Sequence, residues 1–391
     1  MIPGHLMKPT STKSSIERTL FLSKDEIGDD EWDMLVHDSP EGWLYQTSSW
    51  INHAVRLGAR FVGFGMRSEK GELLGIFPLY RQDLNVRNVF SIRRLYTGLS
   101  GPVLKPSLTE KARKKVWLDM FRNVDFIAQR DGIDLLQVKL TTMAPAYLPP
   151  LRPLINPLFL AGLTSPLHVG LEESVQPLTR IIHLGKSEDQ ILAEMDGDCR
   201  AAVRQAERNM LVFKEGTNLS DVRAYSELHS ASWTRTGLSP HPSSYFDDMW
   251  NTLSPINAVK FFFVEKDGER IAAIILHLYK KSVFYWGGCS KEGTLSWRPN
   301  NFILWQAIRW AKTNGYEYFE IGQFYPAPFG NEKEYNVGKF KVQFGKDEFV
   351  PYEGQKIYRT NRILLLELLR VLQSTIKKLP QISFREKKKT K

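Results

Sequence analysis

Arg60–Arg81, RFVGFGMRSEKGELLGIFPLYR, and Val259–Lys281, VKFFFVEKDGERIAAIILHLYKK, decide the fold. Each reads as a strand, a glycine turn and a second strand, and Gly71-Glu72 in the first matches Gly268-Glu269 in the second. Working outward, each hairpin is followed by an exposed strand with aromatics and then by a helical stretch. That stretch is KARKKVWLDMFRNVDFIAQRDG in the first half and NNFILWQAIRWAKTNG in the second. The glycines closing them, Gly132 and Gly315, suit left-handed helix C-caps. A short strand follows at once, IDLLQVKL or YEYFEIGQF. The chain therefore reads as two copies of one order: hairpin, crossover helix, strand. That order predicts an α/β fold of α+β layers, each half a mixed antiparallel/parallel sheet flanked by helices.

With 391 residues, two domains and an appendage are the natural expectation. Residues 1–17 are polar and read as a disordered N-terminus. Residues 18–165 form the first domain, closed by a connector with six prolines between Pro145 and Pro166. Residues 166–358 form the second domain, and 359–391 an amphipathic helix with a basic tail. The net charge of +10 is uneven: residues 362–391 carry +7 of it. A protein that coats nucleic acid spreads basic charge over a folded face, so DNA is not an expected partner. Cys199 and Cys289 are the only cysteines. Their separation suits neither a disulfide framework nor a structural metal site, and a reducing compartment fits. No metal is expected. No signal peptide or membrane span is read, and the expected location is cytoplasmic, with a peripheral place on the inner membrane face as an option.

Three stretches carry candidate chemistry. In DGDCRAAVRQAERNMLVFKEG (Asp196–Gly216), Arg200, Arg204 and Arg208 stand one helical turn apart on one face, with Asp198 as the expected N-cap. Such a ladder either binds phosphates through paired guanidinium contacts or is a solvated face. In SASWTRTGLSPHPSSYF (Ser230–Phe246), Trp233 and Arg235 leave a helix toward a loop and are candidates for an acceptor cleft. In IGQFYPAPFGNEKEYNVGKFKVQFGKDEFVPYEG (Ile321–Gly354), glycines and aromatics crowd the end of a strand. Read as a strand, Phe340, Val342 and Phe344 face the core and Lys339 and Lys341 the other side. Lys341 then projects into a cleft or is an ordinary surface lysine. No catalytic triad, P-loop or dinucleotide fingerprint is present.

These stretches resemble the FemAB-type peptidyltransferases, a branch of the N-acetyltransferase-like (GNAT-related) superfamily built from tandem domains. The resemblance rests on RAAVRQAERNMLVFKEG, on NNFILWQAIRWAKTNGYEYFEIGQF and on NVGKFKVQFGKDEFVPYEG, whose FK pair precedes FG by two residues. SSWINHAVRLG and RRLYTGLSGPVL look like the family's first half, so the similarity spans about 45–355. It implies transfer of an acyl or aminoacyl group to an amine. It places Phe340 and Lys341 at the FK pair, the lysine near the reacting carbonyl, with Tyr335 as a weaker catalytic candidate. It places Arg200, Arg204 and Arg208 at a substrate groove. The superfamily's glycine-rich pyrophosphate loop is not evident. Its nearest counterpart is SWRPNNF (Ser296–Phe302), where Pro299 suits a helix start and Arg298, Asn300 and Asn301 are the donor-binding candidates.

The expected function is an N-acyltransferase or aminoacyltransferase with no tightly bound cofactor. Aminoacyl-tRNA or acyl-CoA is the co-substrate, and the acceptor is an amine of a cell-envelope or polysaccharide precursor, lipid-linked as one option. The C-terminal helix is either a contact to an anionic membrane or docked on the second domain. The alternatives are an acetyl-CoA-dependent N-acetyltransferase and a non-catalytic membrane or nucleic-acid adaptor.

Overall fold

The computed structural model describes residues 19–86, 90–166, 177–325, 332–366 and 368–369. The expected disordered N-terminus and the basic tail lie outside these residues. The first half runs β1 (Leu20–Ser23), α1 (Lys24–Ile27), α2 (Asp29–Asp38), α3 (Ser48–Arg56), β2 (Arg60–Phe61), β3 (Phe64–Arg67), β4 (Leu73–Phe77), β5 (Tyr80–Val86), β6 (Phe90–Tyr96), β7 (Val103–Leu104), α4 (Glu110–Asp131) and β8 (Leu135–Lys139). The second half runs β9 (Leu178–His183), α5 (Glu188–Ala193), α6 (Gly197–Arg208), β10 (Val212–Gly216), α7 (Leu219–Arg235), α8 (Ser243–Leu253), β11 (Val259–Lys266), β12 (Glu269–Tyr279), β13 (Ser282–Ser290), α9 (Pro299–Thr313), β14 (Tyr318–Phe324), α10 (Glu332–Lys341), β15 (Glu348–Phe349) and β16 (Glu353–Ile357).

The duplicated order is present in three dimensions. Each hairpin pairs antiparallel, β3 with β4 and β11 with β12. Each crossover helix returns the chain to a parallel partner: α4 carries β6 to β8, and α9 carries β13 to β14. Gly132 caps α4 in the left-handed conformation, φ 65°, where a side chain is strained. The sheets are mixed in direction, of four strands (β1-β3-β4-β7), five (β16-β8-β6-β5-β2) and seven (β10-β11-β12-β13-β14-β9-β15). The buried apolar cores are fed from both halves: one cluster joins Phe77, Met120 and Leu136 to Tyr225, Phe261 and Ile275.

The chain crosses the division expected at 358. β16 pairs antiparallel with β8, Glu353 opposite Lys139 through Ile357 opposite Leu135, and so completes the sheet of the first half. The segment after it docks there too. Ile363 and Leu366 are buried with Ile92 and Leu135. Arg362 Nε lies 3.0 Å from the buried Asp134 carboxylate, which also accepts the Arg93 N–H at 2.8 Å. The described part of the terminal helix thus packs on the first half rather than the second. Removing this carboxylate strands a buried N–H and unties the segment. Asp134→Ala is therefore expected to cost about 1–3 kcal/mol of stability, read as a lower urea midpoint.

Candidate acyl-transfer site

The site begins with a flaw in the large sheet. β13 and β14 pair at only three positions, ending at Phe284 opposite Glu320, and then separate. Bulges accompany the separation on both sides. The β12–β13 register slips so that Trp286 is the extra residue, and the β14–β9 register breaks between Glu320 and Gln323. Gly322 fills the second break at φ 79°, where a Cβ would lie 3.0 Å from Lys341 Nζ.

The separated strands open into a cavity of about 210 Å³ between the two halves. The first half supplies Tyr45, Leu99 and Leu140–Thr142; the second supplies Phe284–Trp286, Glu320, Gly322, Gln323 and Lys341. A second cavity of about 610 Å³ shares Tyr45, Leu99, Phe284 and Trp286 with it. This larger space is walled by aromatic rings, among them Trp50, Tyr80 and Tyr96, and also carries Arg94 and Lys139.

Lys341 Nζ donates to the Gln323 carbonyl at 2.8 Å. Burial pulls its ammonium down to about 8, against the opposing pull of the Glu320 charge. Glu320 is fully buried; its carboxylate accepts from Thr179 Oγ1 at 2.8 Å and from Thr142 Oγ1 of the first half. Burial pushes its pKa up, opposed by those hydroxyls and by the charges of Lys341 and Arg152. Among the described residues no group of three His, Cys, Asp or Glu side chains could hold a metal ion.

Local structure corrects the strand expected through Lys341. Residues Glu332–Lys341 form α10, and Val342–Phe344 continue as turns. The alternation of Phe340, Val342 and Phe344 mimics a period of two over five residues, too short a window to exclude a helix end. The consequence is opposite exposure two residues apart: Lys339 faces solvent while Lys341 enters the cavity. The turn is fixed from three sides. Arg180 of β9 donates to the carbonyls of Val342 and Gly345, the Asp196 N–H donates to the Gln343 carbonyl at 3.0 Å, and Asn301 Nδ2 reaches Gln343 Oε1 at 3.3 Å.

The other sequence-singled residues fall around this centre. Phe340 packs against Phe344 at 5.2 Å. Tyr335 lies beneath Lys339 Nζ at 4.7 Å and does not line either cavity. On α6, Arg200 donates to the carbonyls of Ala193 and Met195, while Arg204 and Arg208 are exposed; none of the three lines a cavity. The helix starts at Gly197 after Asp196, two residues earlier than expected, so Asp198 is not the N-cap. Pro299 opens α9 as expected, preceded by Arg298 at φ 59°. Its first turn meets the end of β13 through Asn300 and Ser290 Oγ at 3.5 Å, and meets α6 through Asn301 and Cys199 Sγ at 3.4 Å. Arg235 donates to the Ser290 carbonyl at 3.3 Å. Trp233 packs on His241, which in turn packs on Trp286 at 5.9 Å.

Glu320 and Tyr45 escaped the sequence reading. Glu320 did leave a signal: a carboxylate between Phe319 and Ile321 in the middle of an apolar strand is costly unless partnered. Tyr45 left none, because its place depends on the meeting of the two halves.

The comparisons agree with this geometry. Residues 195–335 match the family model described as an acetyltransferase (GNAT) domain. No curated protein matches the sequence. The solved structure of FemX is similar at a TM-score of 0.67 and 15% identity, over 87% of this chain and 98% of that one. L-PGS from Bacillus licheniformis is similar at 0.50 and 11% identity, over 88% and 96%. At such identities the likeness is one of fold. The expected tandem N-acetyltransferase-like architecture is therefore the architecture found, and with a GNAT domain in its second half this chain is a GNAT-related, FemAB-like acyltransferase.

Proposed function

We propose that this enzyme transfers an acyl or aminoacyl group from tRNA or CoA to an amine of a cell-envelope or polysaccharide precursor, in the cavity between its halves. The observation that carries this reading is the placement of the Lys341 ammonium at the mouth of the gap between β13 and β14. In the reaction the amine nitrogen bonds to the acyl carbon and the donor's ester C–O or thioester C–S bond breaks. The amine gives up a proton and the leaving group gains one. No covalent enzyme intermediate is required.

The donor's acyl end enters the gap, where unpaired strand edges offer backbone groups. Its phosphates meet the first turn of α9, near Arg298, Asn300 and Asn301. Lys341 stabilises the negative charge that develops on the carbonyl oxygen, and Glu320 holds the ammonium in place. The larger aromatic cavity admits the acceptor, with Trp286 shared between the two spaces. Arg204 and Arg208, exposed on α6, remain available to an anionic part of either substrate.

The alternative donor, acetyl-CoA, is favoured by the description of the matching family model. Titrating acetyl-CoA against aminoacyl-tRNA with a panel of amines separates the two. Product from aminoacyl-tRNA alone supports the aminoacyl reading, product from acetyl-CoA alone the acetyl reading, and product from neither rejects both. Among the described residues no helix is long and apolar enough to cross a membrane. Sedimentation with anionic vesicles at low salt tests whether the basic tail brings the enzyme to a lipid-linked acceptor.

A pH dependence follows from the cation. The ammonium is present below about pH 8 and lost above it, so turnover should fall as pH rises through that value. Lys341→Arg, whose guanidinium stays charged, is expected to lack this alkaline limb, as initial rates between pH 6 and pH 10 would reveal.

A further inference from the structure

One side chain of the cavity wall has its hydrogen-bonding sense fixed from behind. Tyr45 lines both cavities, and its hydroxyl lies 3.0 Å from His277 Nδ1. This contact has two possible directions: the phenol donates to a bare Nδ1, or an Nδ1–H donates to the phenol oxygen. The choice decides whether the cavity faces a lone pair or an O–H.

The neighbours of His277 make the choice. Its Nε2 is fully buried and has no protein hydrogen-bond partner among the described residues, and the same is true of His53 Nε2. Both rings pack on Trp50, each at 5.3 Å, and the two histidines act on each other electrostatically. His53 Nδ1 lies 2.6 Å from Asp248 Oδ2. Burial raises the Asp248 carboxyl, but hydrogen bonds from Arg56 and His53 outweigh it and the net direction is down, so the carboxylate accepts and His53 Nδ1 carries the proton. Burial keeps His53 neutral against the pull of Asp248, which leaves its Nε2 bare. Were His277 the Nδ1–H tautomer, two bare buried nitrogens would neighbour each other with no donor. The Nε2–H tautomer supplies one donor to that pair of acceptors. His277 Nδ1 is then an acceptor, and the Tyr45 hydroxyl must donate to it.

We infer that Tyr45 presents an oxygen lone pair to the reaction cavity, held in that sense by His277, His53 and Asp248, and accepts a hydrogen bond from an N–H of the attacking amine. The bond turns the remaining lone pair of the amine nitrogen toward the acyl carbon, and it strengthens as attack makes that N–H more acidic. Tyr45 is the group in contact with substrate; His277, His53 and Asp248 are positioning residues. The four come alternately from the two halves, on the segment before α3, on β12, on α3 and on α8. The tautomer is therefore set only where the halves meet.

The inference rests on the acyl-transfer reading, and its test separates the two. Nitrogen-15 NMR of the histidine-labelled wild-type protein, with His277 assigned by its disappearance in His277→Asn, reads the tautomer without any substrate. An Nε2–H form supports the inference and an Nδ1–H form overturns it. In kinetics with the donor and amine that give product, Tyr45→Phe is expected to lower kcat roughly tenfold, the loss of about one hydrogen bond, with the donor KM unchanged. His277→Asn, whose amide oxygen can take the place of Nδ1, should retain more activity than His277→Leu. Wild-type turnover in Tyr45→Phe would overturn the inference while leaving acyl transfer intact. A wild-type enzyme inactive with every donor and amine would remove the acyl-transfer reading, and the NMR result would stand on its own.

Discussion

Lys341→Ala is expected to lower kcat about 10²–10³-fold while the protein stays folded, a loss of the order seen when one oxyanion donor is removed. The fold should survive because the lysine sits at the end of α10 and its ammonium makes one hydrogen bond, to the Gln323 carbonyl. Glu320 keeps its two threonine hydroxyls after the change, so the buried carboxyl is not left unpartnered. Burial already pushes that carboxyl toward its neutral form, and losing the nearby cation moves it further the same way. Circular dichroism and thermal melting should match wild type. Turnover within twofold of wild type would remove Lys341 from the chemistry.

The second large effect is expected at Gly322. Alanine there must adopt φ near 79°, and its Cβ would stand 3.0 Å from Lys341 Nζ and 3.5 Å from the Tyr285 carbonyl. The left-handed backbone costs about 1–2 kcal/mol for a residue with a side chain. The ammonium, at the far end of a flexible chain, yields more readily than the backbone. Gly322→Ala is thus expected to melt at a lower temperature and also to lose turnover by at least tenfold as the cation is displaced. Gly71→Ala is the control: that glycine also has positive φ, 83°, but nothing lies within 4 Å of its Cβ position. It should share the backbone cost without the loss of turnover. Equal turnover in the two variants would mean that the position of the ammonium does not matter.

Much of the fold was legible because its signals are local. The hairpins at Gly71-Glu72 and Gly268-Glu269, the helices closed at Gly132 and Gly315, and the strands after them each announce themselves within about twenty residues. Their repetition gave the tandem order. Pro299 at the start of α9 was legible for the same reason. The helix through Lys341 was not, because Gly338 lowers helix propensity and the following aromatics alternate as a strand's would. Lys341 nevertheless reaches the cavity, by a helix end and a fixed turn instead of a strand.

What stayed hidden depends on contacts between distant residues. β16 completes a sheet whose other strands lie more than 200 residues earlier, and nothing in EGQKI says which edge it joins. Glu320 is tied to Thr142, and Tyr45 to His277, across the junction of the halves. Such pairs form only when both halves are packed, so no window of sequence contains them. The residues that line the cavity are for this reason a property of the assembled chain. The Arg200–Arg208 ladder shows the converse. Its spacing was read correctly, yet Arg200 is spent on local carbonyls and the ladder stands outside both cavities.

The central claim, that the acyl carbon reacts in the gap between β13 and β14 beside Lys341, is tested most directly by a crystal structure with a non-reactive amide analogue of the acyl donor. The account predicts the analogue's carbonyl oxygen about 3 Å from Lys341 Nζ, with Trp286 and Glu320 on either side. A carbonyl bound elsewhere, with the Lys341 ammonium still on the Gln323 carbonyl and out of reach of the ligand, would contradict it.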